Sequence, residues 1–152
     1  MDVAGKLSEL ERRASASGVP VTVQRRATLK ALVGRCDHPT ADAIYRDVVR
    51  ELPGVSKATV YRALDNLVQL GLAQRAHHDA TASRFDGNVE RHHHLLCLRC
   101  DSISDIHWDV LEVSSLTETS PDGFEVHDVS VSLRGLCRAC VTKSKLEELA
   151  HL

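Results

Sequence analysis

The segment SKATVYRALDNLVQL, residues 56–70, carries the pattern on which the predicted fold depends. Ser56 is a favourable N-cap, because its hydroxyl can accept a hydrogen bond from a backbone N–H of the first turn. Apolar residues then recur at the spacing of one helix face, at Val60, Leu64 and Leu67. Gly71 follows where helices commonly end. The segment therefore predicts an amphipathic helix with one buried and one polar face.

Three further helices are predicted upstream of this segment. The first covers residues 3–17. The second begins after its cap Thr22 and runs through Val33, and the third begins after its cap Thr40 and ends before Pro53. Each has apolar residues at helical spacing, so the helices can share a core.

Two short strands are predicted downstream, at Leu72–His77 and Ser83–Asp86. Helices followed by a small hairpin are the outline of a winged helix-turn-helix. We therefore expect a winged-helix DNA-binding domain over residues 1–86. The turn-forming residues that follow predict a hinge at 87–91.

The remaining residues, 92–152, predict a second, small α/β domain, so the chain as a whole is α+β. A tight turn from Cys97 to Cys100 would join its first two strands. Its predicted elements, in chain order, are strands at 92–97 and 102–107, a helix around 109–117, a strand over Phe124–Leu133 and a helix after Cys140.

Composition and charge narrow the class of protein. Hydrophobic residues make up 43% of the 152 residues, enough for a core, but aromatic residues make up only 3%, which argues against a base-stacking RNA-binding sheet. No apolar run approaches membrane-spanning length, and the first residues lack a secretion signal. We therefore expect a cytoplasmic protein with no membrane partner. Residues 1–91 carry 14 Lys and Arg against 11 Asp and Glu, a weak excess that would suit a polyanionic partner.

Four of the five cysteines form two Cys-x-x-C pairs, Cys97 with Cys100 and Cys137 with Cys140. Four thiolates complete a tetrahedral zinc shell with no open position, which indicates a structural ion that contributes folding free energy. A pair of redox dithiols is the alternative. Cys36 stands apart and is predicted to be a small buried hydrophobic residue.

Three consecutive histidines precede the first cysteine pair. In a strand, His92 and His94 point to one face and His93 to the other. Asp105 lies on the returning strand, close to cross-strand distance from the pair. Two imidazoles and a carboxylate suit Fe(II), Mn(II), Co(II), Ni(II) or Zn(II). The alternative is a solvated strand edge in a histidine-rich chain.

The order of these motifs, SKATVYRALDNLVQLGL, a hinge, HHHLLCLRC and LCRAC, closely resembles the ferric uptake regulator (Fur) family of metal-dependent bacterial repressors. The resemblance covers roughly residues 5–142. It implies a homodimer that binds double-stranded operator DNA through its N-terminal domains and pairs through its C-terminal domains.

The resemblance also implies two metal sites. Structural zinc would fall on Cys97, Cys100, Cys137 and Cys140. The regulatory metal, Fe2+ or Mn2+, would fall on His38, Asp86, His92, His94 and Asp105. A third family site is sometimes present, and its loose candidates here are His93, Glu112 and His127, although Arg91 stands where members with that site often have His.

Asp at both carboxylate positions, 86 and 105, is similar to the peroxide-responsive repressor subgroup, since iron-sensing members usually carry Glu there. This likeness implies that bound Fe(II) reacts with hydrogen peroxide and that His38 and His92 are hydroxylated. The alternative is an uptake regulator for iron, manganese, zinc or nickel without peroxide chemistry.

The polar face of the 56–70 helix predicts DNA contacts. Lys57 would reach base edges from the helix N-terminus, and Arg62 would bind phosphate. Tyr61 resembles a DNA-contacting tyrosine of the family, Thr59 would assist at a phosphate, and Arg25 lies near a family contact position. An ordinary solvated helix face is the alternative.

We expect a regulator and not an enzyme. A hydrolytic metalloenzyme would use the His/Asp cluster with an open position for water, but no dedicated general base accompanies the cluster in the sequence. A zinc-stabilised protein-interaction module is the other alternative. Absence of DNA binding with any divalent metal would favour these two classes.

Overall fold

The computed structural model describes residues 2–76, 83–107, 109, 124–127 and 129–149. The chain divides into two compact units, Met1–Val89 and Glu90–Leu152. Bending of residues 87–91 as a hinge stays a prediction.

The described residues of the first unit form four helices and a pair of antiparallel strands. Each helix is capped by a side chain that accepts a hydrogen bond from a first-turn N–H, and the predicted caps Thr22, Thr40 and Ser56 are confirmed. Its elements are α1 Val3–Ala16, α2 Val23–Val33, α3 Ala41–Glu51, α4 Lys57–Gln69, β1 Gln74–Ala76 and β2 Arg84–Asp86.

All four helices and the hairpin contribute to one apolar core. The predicted stripe of α4, Val60, Leu64 and Leu67, is completely buried. Burial of one such side chain stabilises the fold by about 1.5–3 kcal/mol. The largest buried partners from the other elements are Leu10, Leu29, Leu32, Ile44, Val48, Leu72 and Phe85. This packing fixes α4 with its polar face exposed, so the winged-helix prediction is confirmed.

The second unit contains a three-stranded sheet with the order β4-β3-β5. Strand β3 pairs antiparallel with β4 and parallel with β5. The predicted strands at 92–97 and 102–107 are confirmed. Its elements are β3 His92–Cys97, β4 Ile103–His107, β5 Ser132–Gly135 and the final helix, α5, Arg138–Leu149.

The predicted strand over Phe124–Leu133 is wrong. Residues 124–127 and 129–131 are not in a strand, and β5 begins only at Ser132. Apolar and polar residues alternate in FEVHDVSVSL as they do in a strand. Alternation alone does not show which neighbouring strand, if any, the segment pairs with. Pairing begins where Ser132 lies opposite His94 of β3.

Two further helix predictions have different outcomes. The helix around 109–117 lies outside the described residues, apart from residue 109. The final helix begins at Arg138, before Cys140 and not after it. Within the described part of the chain, no helix combines the length and apolar character needed to cross a membrane.

Candidate metal centres and DNA-reading face

The two Cys-x-x-C pairs of the second unit meet at one end of its sheet. Cys97 is the last residue of β3 and Cys100 lies in the turn after it, and Cys137 and Cys140 follow β5. Because β3 and β5 are parallel neighbours, with Cys97 opposite Gly135, both pairs lie at the same strand ends. The Leu98 N–H donates to the Gly135 carbonyl at 2.7 Å and links the two turns.

The four sulfur atoms form a compact cluster. All lie within 4.8 Å of one another, and none forms a disulfide. Cys97 and Cys140 are buried, and the Cys100 and Cys137 sulfurs are 3.8 Å apart. The residue set therefore fits a tetrahedral thiolate shell.

The surroundings of this cluster shift the pKa values of two of its thiols in opposite directions. The backbone N–H groups of Cys137, Cys100 and Arg99 lower the pKa of Cys97 to about 6, and the Cys137 N–H donates to its sulfur at 3.3 Å. Burial and the neighbouring thiols raise the pKa of Cys140 to about 12. A cluster in which one thiolate forms readily and a neighbour resists ionisation suits a divalent cation, which would neutralise the crowded charge.

Cys36 does not behave as predicted. Its side chain is exposed, whereas a buried hydrophobic position was expected. The residue lies in the loop after α2, beyond the last apolar position Val33, and the polar neighbours on either side keep that loop at the surface. A thiol is weakly apolar, but it stays exposed where the backbone of its loop lies at the surface.

A second ligand group lies on β3 and β4 of the same unit. The Nε2 atoms of His92 and His94 are 3.0 Å apart, and Asp105 lies opposite His94 in the strand register. His92 Nε2 is 3.7 Å from an Asp105 carboxylate oxygen. The predicted shared face of His92 and His94 is confirmed.

The tautomer of His92 is fixed by its backbone contact. Its Nδ1 lies 2.7 Å from the Glu90 carbonyl oxygen, which can only accept a hydrogen bond. Nδ1 therefore carries a hydrogen, and Nε2, which faces His94, is the ring nitrogen that a metal could bind. This arrangement is typical of metal-ligating histidines, in which the other ring nitrogen donates to a carbonyl or carboxylate.

The first unit contains a third group, made of His38 and Asp86. Both side chains are buried, and His38 Nε2 lies 3.7 Å from an Asp86 carboxylate oxygen. The loop that carries His38 is attached to β2, because the Phe85 N–H donates to the Pro39 carbonyl at 2.9 Å. The His38 backbone has a φ of 47°, a left-handed conformation that non-glycine residues adopt mainly at turns and functional sites.

Asp86 is held as a carboxylate by its neighbours. Burial alone would raise its pKa, but contacts with His38, the Asn88 N–H and the Gln74 side chain outweigh burial and lower it. The Asn88 N–H donates at 2.7 Å and the Gln74 amide at 3.1 Å. A buried, ionised oxygen donor beside an imidazole is suited to a cation.

The candidates for a third metal site lie in different surroundings. His93 is completely buried, and its Nδ1 accepts a hydrogen bond from the Val131 N–H. The His127 side chain is 81% exposed. Glu112 lies outside the described residues. The third site stays a prediction.

The polar side of α4 forms an exposed surface that is predicted to contact DNA, and we call this surface, defined by Lys57, Tyr61 and Arg62, the DNA-reading face. The Asp42 carboxylate of α3 contacts two of the three, Lys57 Nζ at 2.7 Å and the Tyr61 hydroxyl at 2.6 Å. Arg62 is exposed and has no ion-pair partner among the described residues. Its guanidinium is therefore available for a phosphate.

Two other predicted DNA contacts are already engaged within the protein. The Thr59 hydroxyl lies 2.8 Å from the hydroxyl of the cap Ser56. The Arg25 guanidinium donates to the Asn66 side chain of α4 at 2.5 Å and to the Pro20 carbonyl. Arg25 thus lies beside α4, where a DNA contact stays a prediction.

Four residues that support these sites were not predicted from the sequence. Gln74 and Asn88 donate to Asp86, Ser102 lies 3.2 Å from the Cys100 sulfur, and Asp42 contacts α4. Gln74 lies opposite Asp86 in the hairpin, so the two predicted strands contained a signal for it. No sequence signal places Asp42 beside α4.

The fold and these groups define a class: winged-helix DNA-binding proteins that carry clusters of metal-ligating residues. The chain belongs to the ferric uptake regulator family, whose profile matches residues 16–134.

The chain is similar to named members of that family. The peroxide-responsive repressor PerR of Staphylococcus saprophyticus is 36% identical over 128 residues, which cover 84% of this chain and 86% of that protein. The Campylobacter jejuni peroxide stress regulator superimposes with a TM-score of 0.67 at 28% sequence identity. The matched region covers 92% of this chain and 100% of that protein's chain. The Helicobacter pylori ferric uptake regulator shares the fold, with a TM-score of 0.78 at 17% sequence identity. The matched region covers 93% of this chain and 95% of that protein's chain.

Proposed function

We propose that this protein is a homodimeric, metal-dependent transcriptional repressor that binds operator DNA and senses hydrogen peroxide. The observation that carries the proposal is the group of two histidines and one carboxylate on β3 and β4. Two imidazoles and a carboxylate with positions left open are the ligand set of Fe(II) sites that react with oxygen species. The similarity to PerR over most of the chain supports the peroxide assignment.

Two metals with different roles follow from the donor chemistry. Zn2+ on Cys97, Cys100, Cys137 and Cys140 would be structural, since four thiolates leave no open position. Fe2+ or Mn2+ would bind His92, His94 and Asp105 of the second unit together with His38 and Asp86 of the first. The His38–Asp86 pair supplies only two ligand residues, too few for a site by itself, and the resemblance to the family joins the two groups.

A metal with ligands in both units would restrict their relative orientation. A dimeric reader of DNA must match its two recognition helices to the spacing of its half-sites. Metal binding would therefore favour the DNA-competent arrangement, and DNA would reciprocally tighten metal binding. Within that arrangement, Arg62 would bind phosphate and Lys57 and Tyr61 would approach base edges.

Peroxide would act through loss of a ligand. Iron held by these residues would supply the redox chemistry that activates peroxide and would not be consumed in the net reaction. In the net reaction, a C–H of the imidazole of His38 or His92 becomes C–OH, one peroxide oxygen enters the ring and the other leaves as water. The ring is oxidised by two electrons and peroxide is reduced. The modified ring is a poorer ligand, so the units lose their common orientation and DNA is released.

Mass spectrometry tests this proposal. The zinc-loaded protein is charged with Fe(II) or with Mn(II), exposed to low peroxide, and digested. We expect a gain of one oxygen on peptides containing His38 and His92 with iron and not with manganese, together with release of DNA. Absence of modification with both metals, alongside metal-dependent DNA binding, would instead indicate a metal-uptake regulator of the same family.

A further inference from the structure

One carboxylate contacts two of the three side chains of the DNA-reading face. Asp42, in the first turn of α3, lies 2.7 Å from Lys57 Nζ and accepts a hydrogen bond from the Tyr61 hydroxyl at 2.6 Å. Lys57 Nζ also lies 5.7 Å from the centre of the Tyr61 ring. Asp42, Lys57 and Tyr61 thus form one connected group, which joins the first turn of α3 to the first turns of α4.

Stability does not account for this group. The Asp42 and Lys57 side chains are each 54% exposed, and an ion pair exposed to this extent contributes little to stability. An acidic residue in the first turn of α3 is favourable for the helix, but it has that effect without Lys57 or Tyr61 as partners. A carboxylate on a face that meets phosphates also opposes DNA binding through charge repulsion.

We propose that Asp42 is a specificity-determining residue, which positions Lys57 and Tyr61 for base contacts and withholds the Lys57 charge from non-specific phosphate binding. This inference rests on the proposed function, because it assumes that α4 reads DNA. Lys57 held by Asp42 has fewer rotamers and a fixed direction, which favours a base edge at one position. A released Lys57 would reach any nearby phosphate, whatever the sequence.

Arg62 provides the contrast on the same face. It has no ion-pair partner among the described residues, so its charge is available to phosphate without a competing carboxylate. The two cationic side chains of the face, Lys57 and Arg62, would therefore have different functions. Arg62 would supply general affinity, and the group around Asp42 would supply discrimination between sequences.

The test compares Asp42→Asn with wild type on two duplexes. One is a duplex that the wild-type protein, loaded with Zn2+ and Mn2+, selects from a randomised pool, and the other is a scrambled duplex of the same composition. Fluorescence anisotropy is measured over a range of salt concentrations. For the variant on the scrambled duplex, we expect about fivefold tighter binding at 0.15 M salt and a steeper salt slope, by about 0.9 per subunit. The preference for the selected duplex should fall about tenfold, since Lys57 and Tyr61 lose their fixed positions.

Two other single variants, and Asp42→Asn combined with Lys57→Met, separate this mechanism from a general charge effect. Glu51→Gln removes an equal charge from the other end of α3 and releases Lys30, its partner at 3.1 Å, so the wild-type preference should remain. Asp42→Glu keeps the charge and should keep the wild-type slope. In a Lys57→Met background, Asp42→Asn should no longer steepen the slope.

The outcomes distinguish the inference from the function on which it rests. If the wild-type protein selects no sequence with any divalent metal, the proposed function fails. If wild type selects a sequence but Asp42→Asn matches Glu51→Gln in preference and slope, the proposed function stands and the inference is overturned. A steeper slope for Asp42→Asn that persists in the Lys57→Met background also overturns it.

Discussion

We predict that loss of one ligand from the cysteine cluster unfolds the second unit and leaves the first unit folded. The reason is the distribution of buried apolar side chains. Within the described residues, the main core cluster lies entirely in the first unit. The buried apolar residues described in the second unit are Cys97, Ile103 and Cys140, and two of these belong to the thiolate cluster.

The magnitudes indicate that this unit depends on its metal. Structural zinc contributes about 10–16 kcal/mol in small zinc-binding peptides, which is comparable with the whole stability of an ordinary domain, about 5–15 kcal/mol. Loss of the metal should therefore remove a large part of the stability of the second unit.

The assay compares Cys140→Ser with Cys36→Ser, a matched control, because Cys36 is exposed and outside the cluster. Zinc content is measured together with hydrogen exchange of backbone amides. Fluorescence of Trp108, the one tryptophan of the sequence, reports on the second unit. We expect Cys140→Ser to lose zinc and the protection of β3, β4 and β5, while α2 and α4 stay protected. A zinc-free Cys140→Ser with wild-type protection in β3–β5 would contradict this prediction, and so would simultaneous loss of protection in α2 and α4.

Three further predictions concern the first unit. Gly71→Ala should lower the free energy of unfolding by about 2 kcal/mol in urea titration, because Gly71 has a φ of 66° and a new Cβ would lie 2.7 Å from the Arg13 guanidinium. That guanidinium donates to the carbonyls of Leu70 and Gly71, directly after α4, and would have to move. An unchanged urea midpoint would contradict this. The Arg12 and Arg13 guanidiniums lower the pKa of Glu9 from 4.5 to about 2, so its stabilising effect is present above pH 4.5 and is lost as pH falls through 2. Glu9→Gln should therefore be less stable than wild type at neutral pH and equally stable below pH 2, and equal stability at both pH values would count against the ion pairs. Arg62→Ala should weaken binding to selected and scrambled duplexes alike and reduce the salt slope by about 0.9 per subunit, whereas a loss confined to the selected duplex would assign Arg62 to base contacts.

Local patterns in the sequence predicted the parts of the fold that depend on neighbouring residues. The caps and the apolar stripe of α4 follow from spacing within one helix. The register that places His94 opposite Asp105 follows from a short hairpin, whose tight turn leaves few alternatives. These short-range constraints were sufficient to predict the group of two histidines and a carboxylate.

Contacts between distant segments were not predictable in the same way. Strand β5 pairs in parallel with β3 across more than thirty residues of sequence, and nothing in its alternation identifies that partner. The meeting of Asp42 with α4 depends on how α3 packs against α4, which spacing within either helix does not determine. Cys36 shows the same limit, because its exposure depends on the path of a loop.

We propose that one divalent ion, besides zinc, binds both His38 and His92 and thereby permits DNA binding. Calorimetric titration of the zinc-loaded protein with Mn2+, paired with DNA anisotropy at each metal concentration, tests it most directly. We predict one ion for each subunit, DNA binding that follows its uptake, and loss of both with either His38→Ala or His92→Ala. The claim would be contradicted if either variant kept wild-type Mn2+ uptake, or if DNA binding did not depend on Mn2+.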